Sequence, residues 1–369
     1  YSAKCWKGNT KDFLAGNQDF VIEKALAWPL VKTSLVIPVY RSGDDFAGTL
    51  RSLYEQEWSN PTETEIVLYV NQPAGSLEDA TRISLELTEA LLGNEPLPEQ
   101  HTELGKLIRG SSTPALRVIF EQIEGRQATI YRRTFTTFVA RIFDSVLKQE
   151  LKSKELEVEA LTRLYNNSVF GVIDDDLLFP APNALADSIN QLHAGETIVL
   201  GRVHIRSVTS SFPEADKTLA NLMNLFLDLK HVQNATVLSP RIATVSDLFH
   251  LKPPSPSIPY SDQIWFSEGV RGKEKIFVDV DTTLIDEEYP SNAEMSASLA
   301  QFLKTGEPLE ALDIFHNVRK SYESACAQPD IPYTLGDVEA VLECLRSRDL
   351  ETINLKVSEI LIKGGRRVL

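Results

Sequence analysis

TSLVIPVY, residues 33–40, is a short apolar run with several β-branched residues, a composition typical of a strand buried on both faces of a parallel sheet. The run stops at the turn signal RSGDD, and apolar residues at helical spacing follow from Phe46. EIVLYV, residues 65–70, then predicts a second buried strand. A right-handed crossover makes the two strands parallel neighbours. Their carboxyl ends therefore open on one edge, the place where open α/β sheets bind ligands.

Apolar runs and helical patterns continue to alternate along the chain, which favours a single α/β architecture. Further strands are predicted at residues 115–123, 168–173, 196–205 and 274–285. We therefore predict an α/β fold with a mostly parallel central sheet flanked by helices, together with a helical C-terminal extension. The predicted divisions are an N-terminal extension over 1–30, the α/β domain over 31–290 and the C-terminal extension over 291–369.

Three consecutive aspartates, Asp174, Asp175 and Asp176, follow the strand predicted over residues 168–173. Adjacent carboxylates raise one another's pKa unless a cation neutralises them. Hard oxygen ligands suit Mg²⁺ or Mn²⁺, which bind through one or two carboxylates together with substrate phosphate. The alternation of a strand turns Asp174 and Asp176 to one side and Asp175 to the other. The alternative is an acidic turn or a helix cap after the strand.

The run TSLVIPVYRSGDDFAGTLRSLYEQEW followed by EIVLYVNQP resembles the opening of an inverting glycosyltransferase of family 2, which has the GT-A (nucleotide-diphospho-sugar transferase) fold. In that family a strand ending in I-P-x-Y or I-P-x-F begins the nucleotide pocket. The later VIDDDLLFP is similar to the family's D-x-D signature at the end of a strand. The resemblance implies metal-dependent, inverting transfer of a sugar, of the hexosyltransferase type. The donor would be a nucleoside-diphosphate sugar of the UDP or GDP type, and the acceptor a hydroxyl-bearing saccharide or another hydroxyl compound.

The resemblance also implies roles for individual residues at the predicted ligand edge. The residues that would bind the nucleotide sugar are Pro38, Val39, Tyr40, Asn71, Asp174 and Asp175. The metal ligands would be Asp176 and Asp174, and the metal Mn²⁺ or Mg²⁺. Asn71 stands where the family often has an aspartate; an amide both donates and accepts hydrogen bonds, so the nucleobase stays open.

An inverting transfer requires a base that takes the proton of the acceptor hydroxyl. The family supplies an Asp or Glu at the start of a helix downstream of the metal motif, and SDQIW resembles that segment. Asp262 is therefore the candidate catalytic residue, at 262 − 176 = 86 residues beyond Asp176. The alternative is that Asp262 only caps a helix.

Two other functional hypotheses remain open. FVDVDTTLID resembles the first motif of haloacid dehalogenase-like phosphohydrolases, in which Asp279 would attack phosphorus and Asp281 would protonate the leaving group, both at a strand end. Thr282 stands where that family has glycine. The second alternative is a catalytically inactive GT-A-like protein that binds a nucleotide or serves in an assembly.

The composition restricts the class of partner. Of 369 residues, 43% are hydrophobic, and 37 basic against 52 acidic residues give a formal net charge of −15. Such a charge repels phosphate backbones, so we expect no nucleic-acid partner.

Three scattered cysteines fit a reducing compartment. With no apolar run of the roughly 18 residues that a transmembrane helix needs, we expect no transmembrane segment and a cytoplasmic location. The oligomeric state stays open.

Overall fold

The computed structural model describes residues 26–40, 42–71, 79–93, 96–110, 112–121, 127–148, 154–209, 212–232, 239–249, 265–266, 272–285, 300–306, 333–366 and 368. The strands are β1 Thr33–Val39, β2 Thr64–Asn71, β3 Ala115–Glu121, β4 Val169–Val172, β5 Thr197–Thr209, β6 Arg241–Thr244 and β7 Glu274–Ile285. The helices are α1 Phe46–Tyr54, α2 Asp79–Leu91, α3 Thr102–Ile108, α4 Gln127–Lys148, α5 Lys154–Asn167, α6 Ala184–Asn190, α7 Asp216–Val232, α8 Val245–Phe249, α9 Leu335–Ser347 and α10 Leu350–Lys363.

The seven strands form one sheet in the order β3-β2-β1-β4-β6-β5-β7. The pairs β1–β2, β2–β3 and β1–β4 are parallel, as the strand-helix-strand pattern predicts. The β4–β6 and β5–β6 pairs are antiparallel, so the prediction of a mostly parallel sheet holds for one half only. The short strand β6 was not predicted, because four residues show no period. The mixed α/β architecture itself is confirmed.

The described residues divide into two compact units. The first unit lies within residues 1–201 and 236–278, and the second lies within residues 202–235 and 279–369. Strands β5 and β7 each contribute residues to both units. The domain boundaries predicted at residues 30 and 290 stay predictions.

The core of the first unit is aromatic. Phe135 on α4 makes edge contacts with the rings of Phe170 on β4 and Trp265, at centroid distances of 5.2 and 5.1 Å. The Trp265 indole N–H donates to the Leu248 carbonyl at 3.4 Å. Because α4 fills this core with its apolar face, it holds the sheet from one side.

A buried ion pair also joins α4 to the sheet. Arg141 on α4 donates to both carboxylate oxygens of Glu65 on β2, at 2.6 and 3.0 Å. Ser34 on β1 donates to the same carboxylate at 2.8 Å. Glu65 and Arg141 are almost completely buried, so each charge depends on the other for solvation.

The second unit is built around α7. The Asn224 side chain accepts from the backbone N–H of Ile205 on β5 at 2.7 Å and donates to the Ile205 carbonyl at 3.1 Å. Asp228 on the same helix accepts from the Tyr333 hydroxyl, which precedes α9, and from the Arg366 guanidinium, which follows α10. These bonds fix both ends of the C-terminal helical pair to α7.

No helix among the described residues has both the length and the hydropathy that crossing a membrane requires. The cytoplasmic location stays a prediction.

Candidate functional site

The three aspartates lie directly after β4. Ile173 continues the β1 pairing by donating its N–H to the Val36 carbonyl at 2.9 Å. The strand nevertheless ends at Val172, and residues 175 and 176 form a turn. The expectation that strand alternation sets the directions of the three carboxylates is therefore wrong, because the chain has left the pleated conformation. All three aspartates are partly accessible.

Asp175 connects this turn to the segment after β1. Its carboxylate accepts from the Ser42 hydroxyl, and its backbone carbonyl accepts from Thr49 on α1 at 2.8 Å. Burial of the carboxyl group raises the pKa of Asp175 to about 7; the Ser42 hydrogen bond opposes the rise, and the charges of Asp176 and Asp174 add to it. Through these two hydrogen bonds, Asp175 fixes the turn to the segment after β1 and to α1.

Asp174 has a different set of partners. Its backbone N–H donates to the Ser239 hydroxyl at 2.8 Å, and its carboxylate accepts from the Tyr131 hydroxyl at 3.4 Å. The Arg241 guanidinium lies 3.9 Å from the same carboxylate oxygen. Because one third of the Asp174 side chain is exposed (33%), the carboxylate remains accessible to a ligand while it contacts these groups.

Arg241 is a site residue that the sequence did not predict. Its side chain is almost completely buried, and its guanidinium lies over the rings of Tyr131 and Phe266 at 5.7 and 5.6 Å from their centroids. It opens β6, whose four residues give no periodic signal, and β6 adjoins β4 only through an antiparallel pairing of distant segments. A fixed positive charge therefore stands beside the acidic turn.

The predicted nucleotide residues lie on the same edge. Pro38 and Val39 are buried at the end of β1, whereas Tyr40 is exposed and its backbone N–H donates to the Ser42 hydroxyl at 3.1 Å. Asn71 is buried at the end of β2, one position beyond the pairing of Val39 with Val70. The ends of β1, β2 and β4 thus bring Tyr40, Asn71 and the aspartates to one rim, which we call the acidic edge.

Asp262 lies outside the described residues, so its role as base stays a prediction. Trp265 and Phe266, three and four positions later, are described and fully buried. Trp265 fills the aromatic core, and Phe266 packs against the Arg241 guanidinium.

The side chains of the acidic edge limit the kind of metal site that this edge could form. Among the described residues, no group of three or more His, Cys, Asp or Glu side chains is placed to hold a metal ion. Mg²⁺ and Mn²⁺ sites that use substrate phosphate need only one or two protein carboxylates. Asp174 and Asp176 are both partly accessible, and the Asp175 carboxylate accepts a hydrogen bond from Ser42. The residues therefore fit a two-carboxylate site completed by phosphate and water.

The phosphohydrolase hypothesis predicted Asp279 and Asp281 at a strand end, and the structure contradicts this. Both lie inside β7, which continues to Ile285. Asp281 is fully buried, and its carboxylate pairs with the Arg206 guanidinium at 2.7 Å. A carboxylate engaged in this way inside a strand is poorly placed to donate a proton to a leaving group.

No protein-family model and no curated protein sequence matches this chain. Among solved structures, the mannosyltransferase PcManGT from Pyrobaculum calidifontis, in complex with GDP-Man and Mn²⁺, aligns over 98% of each chain with 12% identity and a TM-score of 0.40. TarS of S. aureus aligns over 89% of this chain and 55% of its own, with 12% identity and a TM-score of 0.35. This chain thus spans about half the length of TarS. The GT-A assignment stays a prediction.

Proposed function

We propose that this protein is a metal-dependent, inverting glycosyltransferase that moves a hexosyl group from a nucleoside-diphosphate sugar to a hydroxyl-bearing saccharide or another hydroxyl acceptor. The supporting observation is the acidic edge: accessible carboxylates and the ends of three adjacent parallel strands meet where open α/β sheets take their ligands. The resemblance of the IPVY and DDD segments to the GT-A family 2 motifs gives this edge its proposed chemistry.

In this proposal Asp176 and Asp174 hold Mn²⁺ or Mg²⁺. The bound ion would offset the charge that develops on the leaving diphosphate. Tyr40 and Asn71 stand on the side of the edge assigned to the nucleoside, which would be of the UDP or GDP type. Asp175 keeps the turn in place through Ser42 and Thr49. Arg241 fixes Asp174 and limits the negative charge of the edge before the donor arrives.

The proposed transfer step forms one bond and breaks one. The acceptor oxygen attacks the anomeric carbon from the face opposite to the diphosphate, and the bond from that carbon to the diphosphate oxygen breaks. The proton of the acceptor hydroxyl passes to the Asp262 carboxylate. Inversion follows from the single displacement.

Two variants separate metal binding from the proton transfer. Asp176→Ala is expected to abolish Mn²⁺-dependent release of nucleoside diphosphate from a panel of UDP- and GDP-sugars with saccharide acceptors. Asp262→Asn is expected to abolish transfer while retaining the Mn²⁺-dependent rise in melting temperature that the donor produces, because ligands of the folded state stabilise it. Asp187→Ala, at an exposed position on α6, is the matched control and is expected to leave both unchanged.

Full turnover by both variants would contradict the assignment of these residues. Metal-dependent nucleotide binding by the wild-type protein, with no turnover of any donor, would instead support the inactive nucleotide-binding hypothesis.

A further inference from the structure

A pocket lies in the first unit, at the end of the strands opposite to the acidic edge. Its volume is about 390 Å³, within the range of roughly 300–1,000 Å³ typical of small-molecule sites. Thr33, Thr64 and Val169, which begin β1, β2 and β4, all contribute to its wall. Since a strand advances about 3.3 Å per residue, the five steps from Val169 to Asp174 separate the two places by about 16 Å. The pocket is therefore not part of the acidic edge.

The wall of this pocket is rich in side-chain amides. Asn60 precedes β2, Asn166 and Asn167 end α5, and Asn190 ends α6. All four are exposed. Among the described residues, the Asn166 and Asn167 side chains have no hydrogen-bond partner, whereas Asn190 donates to Ser59 at 2.8 Å. Each amide offers two donors and an acceptor, the combination that a polyhydroxylated ligand needs, because its hydroxyl groups both donate and accept.

The pocket also holds one aromatic surface. The indole N–H of Trp58 donates to the Leu53 carbonyl at 2.9 Å, so the polar atom of this half-buried ring is satisfied within the protein. What the ring can offer a ligand is its apolar surface. An apolar surface beside amides suits a ligand with a non-polar face and a polar rim.

The charges around the pocket disfavour an ion. Lys32 and Glu63 both line it, and they pair with each other at 2.7 Å, so the lining has no net charge. Helix α5 also ends at the pocket, and the C-terminus of a helix carries a partial negative charge that repels phosphates and carboxylates. The only acidic side chain in the lining already has a cationic partner, so a cation gains little there.

We infer that this cavity, the amide pocket lined by Trp58, Asn60, Asn166, Asn167 and Asn190, binds a neutral saccharide. The ring of Trp58 contacts the C–H face of the sugar, and the asparagine amides bond its hydroxyl groups. This site is separate from the acidic edge and takes no part in bond breaking. The inference does not depend on the proposed transferase activity, because it follows from the lining of the pocket alone.

Ligand-observed NMR and calorimetry test the inference directly. The probes are glucose, mannose, N-acetylglucosamine, maltose and cellobiose, each at up to tens of millimolar, in buffer with EDTA and without nucleotide. At least one neutral sugar is expected to bind the wild-type protein. The double variant Asn166→Ala/Asn167→Ala is expected to bind it about tenfold more weakly, because each lost hydrogen bond costs about a two- to tenfold change.

Matched variants keep the test specific. Asn60→Ala removes an amide from a different segment and is expected to weaken binding about two- to tenfold. Asn183→Ala changes an exposed asparagine that does not line the pocket, and it should bind as the wild type does. Asp176→Ala, at the opposite edge, should also retain the binding.

Three results would overturn the inference. They are the absence of binding by every neutral sugar, unchanged affinity in both pocket variants, and preferential binding of glucose 6-phosphate or putrescine over neutral sugars. Loss of sugar binding in Asp176→Ala with retention in the pocket variants would move the sugar to the acidic edge and equally reject the amide pocket.

Discussion

Asp174 and Asp175 are adjacent and chemically identical, yet their surroundings give them different properties. Asp175 accepts from Ser42 and its carboxyl group is buried, whereas Asp174 lies beside the Arg241 guanidinium and remains partly exposed. The sequence predicted that an acidic cluster follows this strand. It did not predict which carboxylate is buried, because that depends on Ser42, which is 133 residues from Asp175 along the chain.

The pH dependence of stability reports on Asp175. Burial raises the pKa of this carboxyl to about 7 from an ordinary value of 3.8, so the folded state holds a proton that the unfolded state has released between these values. This contribution to stability is complete below about pH 4 and is lost as the pH rises through about 7. Asp175→Asn cannot titrate. Its melting temperature relative to wild type is therefore expected to rise steadily between about pH 4 and pH 8.

Thermal melting in EDTA, with Asp187→Asn as the exposed control, measures this difference without any contribution from metal. A constant offset between the Asp175→Asn and wild-type proteins across that pH range would show that the carboxyl is not buried in the neutral form.

Arg241 combines its charge with stacking, and lysine can replace only the charge. Arg241→Lys is expected to lower the free energy of unfolding by about 1–2 kcal/mol, since the flat contact with the rings of Tyr131 and Phe266 is lost. Arg241→Met is expected to cost more, because Asp174 and the acidic turn lose their neighbouring cation. Urea denaturation checks both. Equal stability of the Lys variant and the wild-type protein would contradict a stabilising contact between the Arg241 guanidinium and the two rings.

Strands and helices with strong local patterns were predictable, and elements that depend on distant partners were not. The predicted β7 agrees with the structure at both ends, and β1 differs from its prediction only at its carboxyl end. Strand β6 was missed because four residues between longer elements show no period, and its antiparallel direction arises from pairing with β4.

The attachment of α4 to the sheet depends on Arg141 and Glu65. Glu65→Gln is expected to lower the free energy of unfolding by about 3–5 kcal/mol, because the Arg141 guanidinium is left buried without its counter-charge. The double variant Glu65→Gln/Arg141→Met should recover part of that loss, since the buried Arg141 guanidinium is removed together with its counter-charge. The control is Glu55→Gln, whose partner Arg51 is exposed; it should cost less than about 1 kcal/mol.

Urea unfolding of wild type, Glu65→Gln, Arg141→Met and the double variant measures the coupling between the two residues. A loss below about 1 kcal/mol for Glu65→Gln would mean that the pair does not hold the helix. Complete additivity of the two substitutions would contradict the coupling directly.

Across the chain, local periodicity predicted the α/β class and the parallel half of the sheet, because each strand-helix-strand step is built from neighbouring segments. It did not predict that residues 202–235 associate with residues 279–369. That grouping is held by contacts between distant segments, such as the pair of Asp228 with Arg366, and no local pattern specifies them.

The candidate site was predictable only where it depends on neighbouring strand-helix-strand segments. The sequence placed Tyr40, Asn71 and the three aspartates on one edge, because the carboxyl ends of parallel strands meet at the same edge of a sheet. Arg241 was absent from the prediction, because the strand that carries it was absent. The amide pocket was also absent, because its walls come from the ends of two helices and the starts of three strands.

The central claim is that Asp174 and Asp176 share a divalent cation with a nucleoside diphosphate. Crystals of the protein with MnCl₂ and either UDP or GDP, measured at the manganese absorption edge, test it most directly. The account predicts one anomalous peak bonded to the Asp174 and Asp176 carboxylates and to the diphosphate. Nucleotide and manganese absent from the acidic edge, or manganese bound elsewhere while these two carboxylates remain unligated, would contradict it.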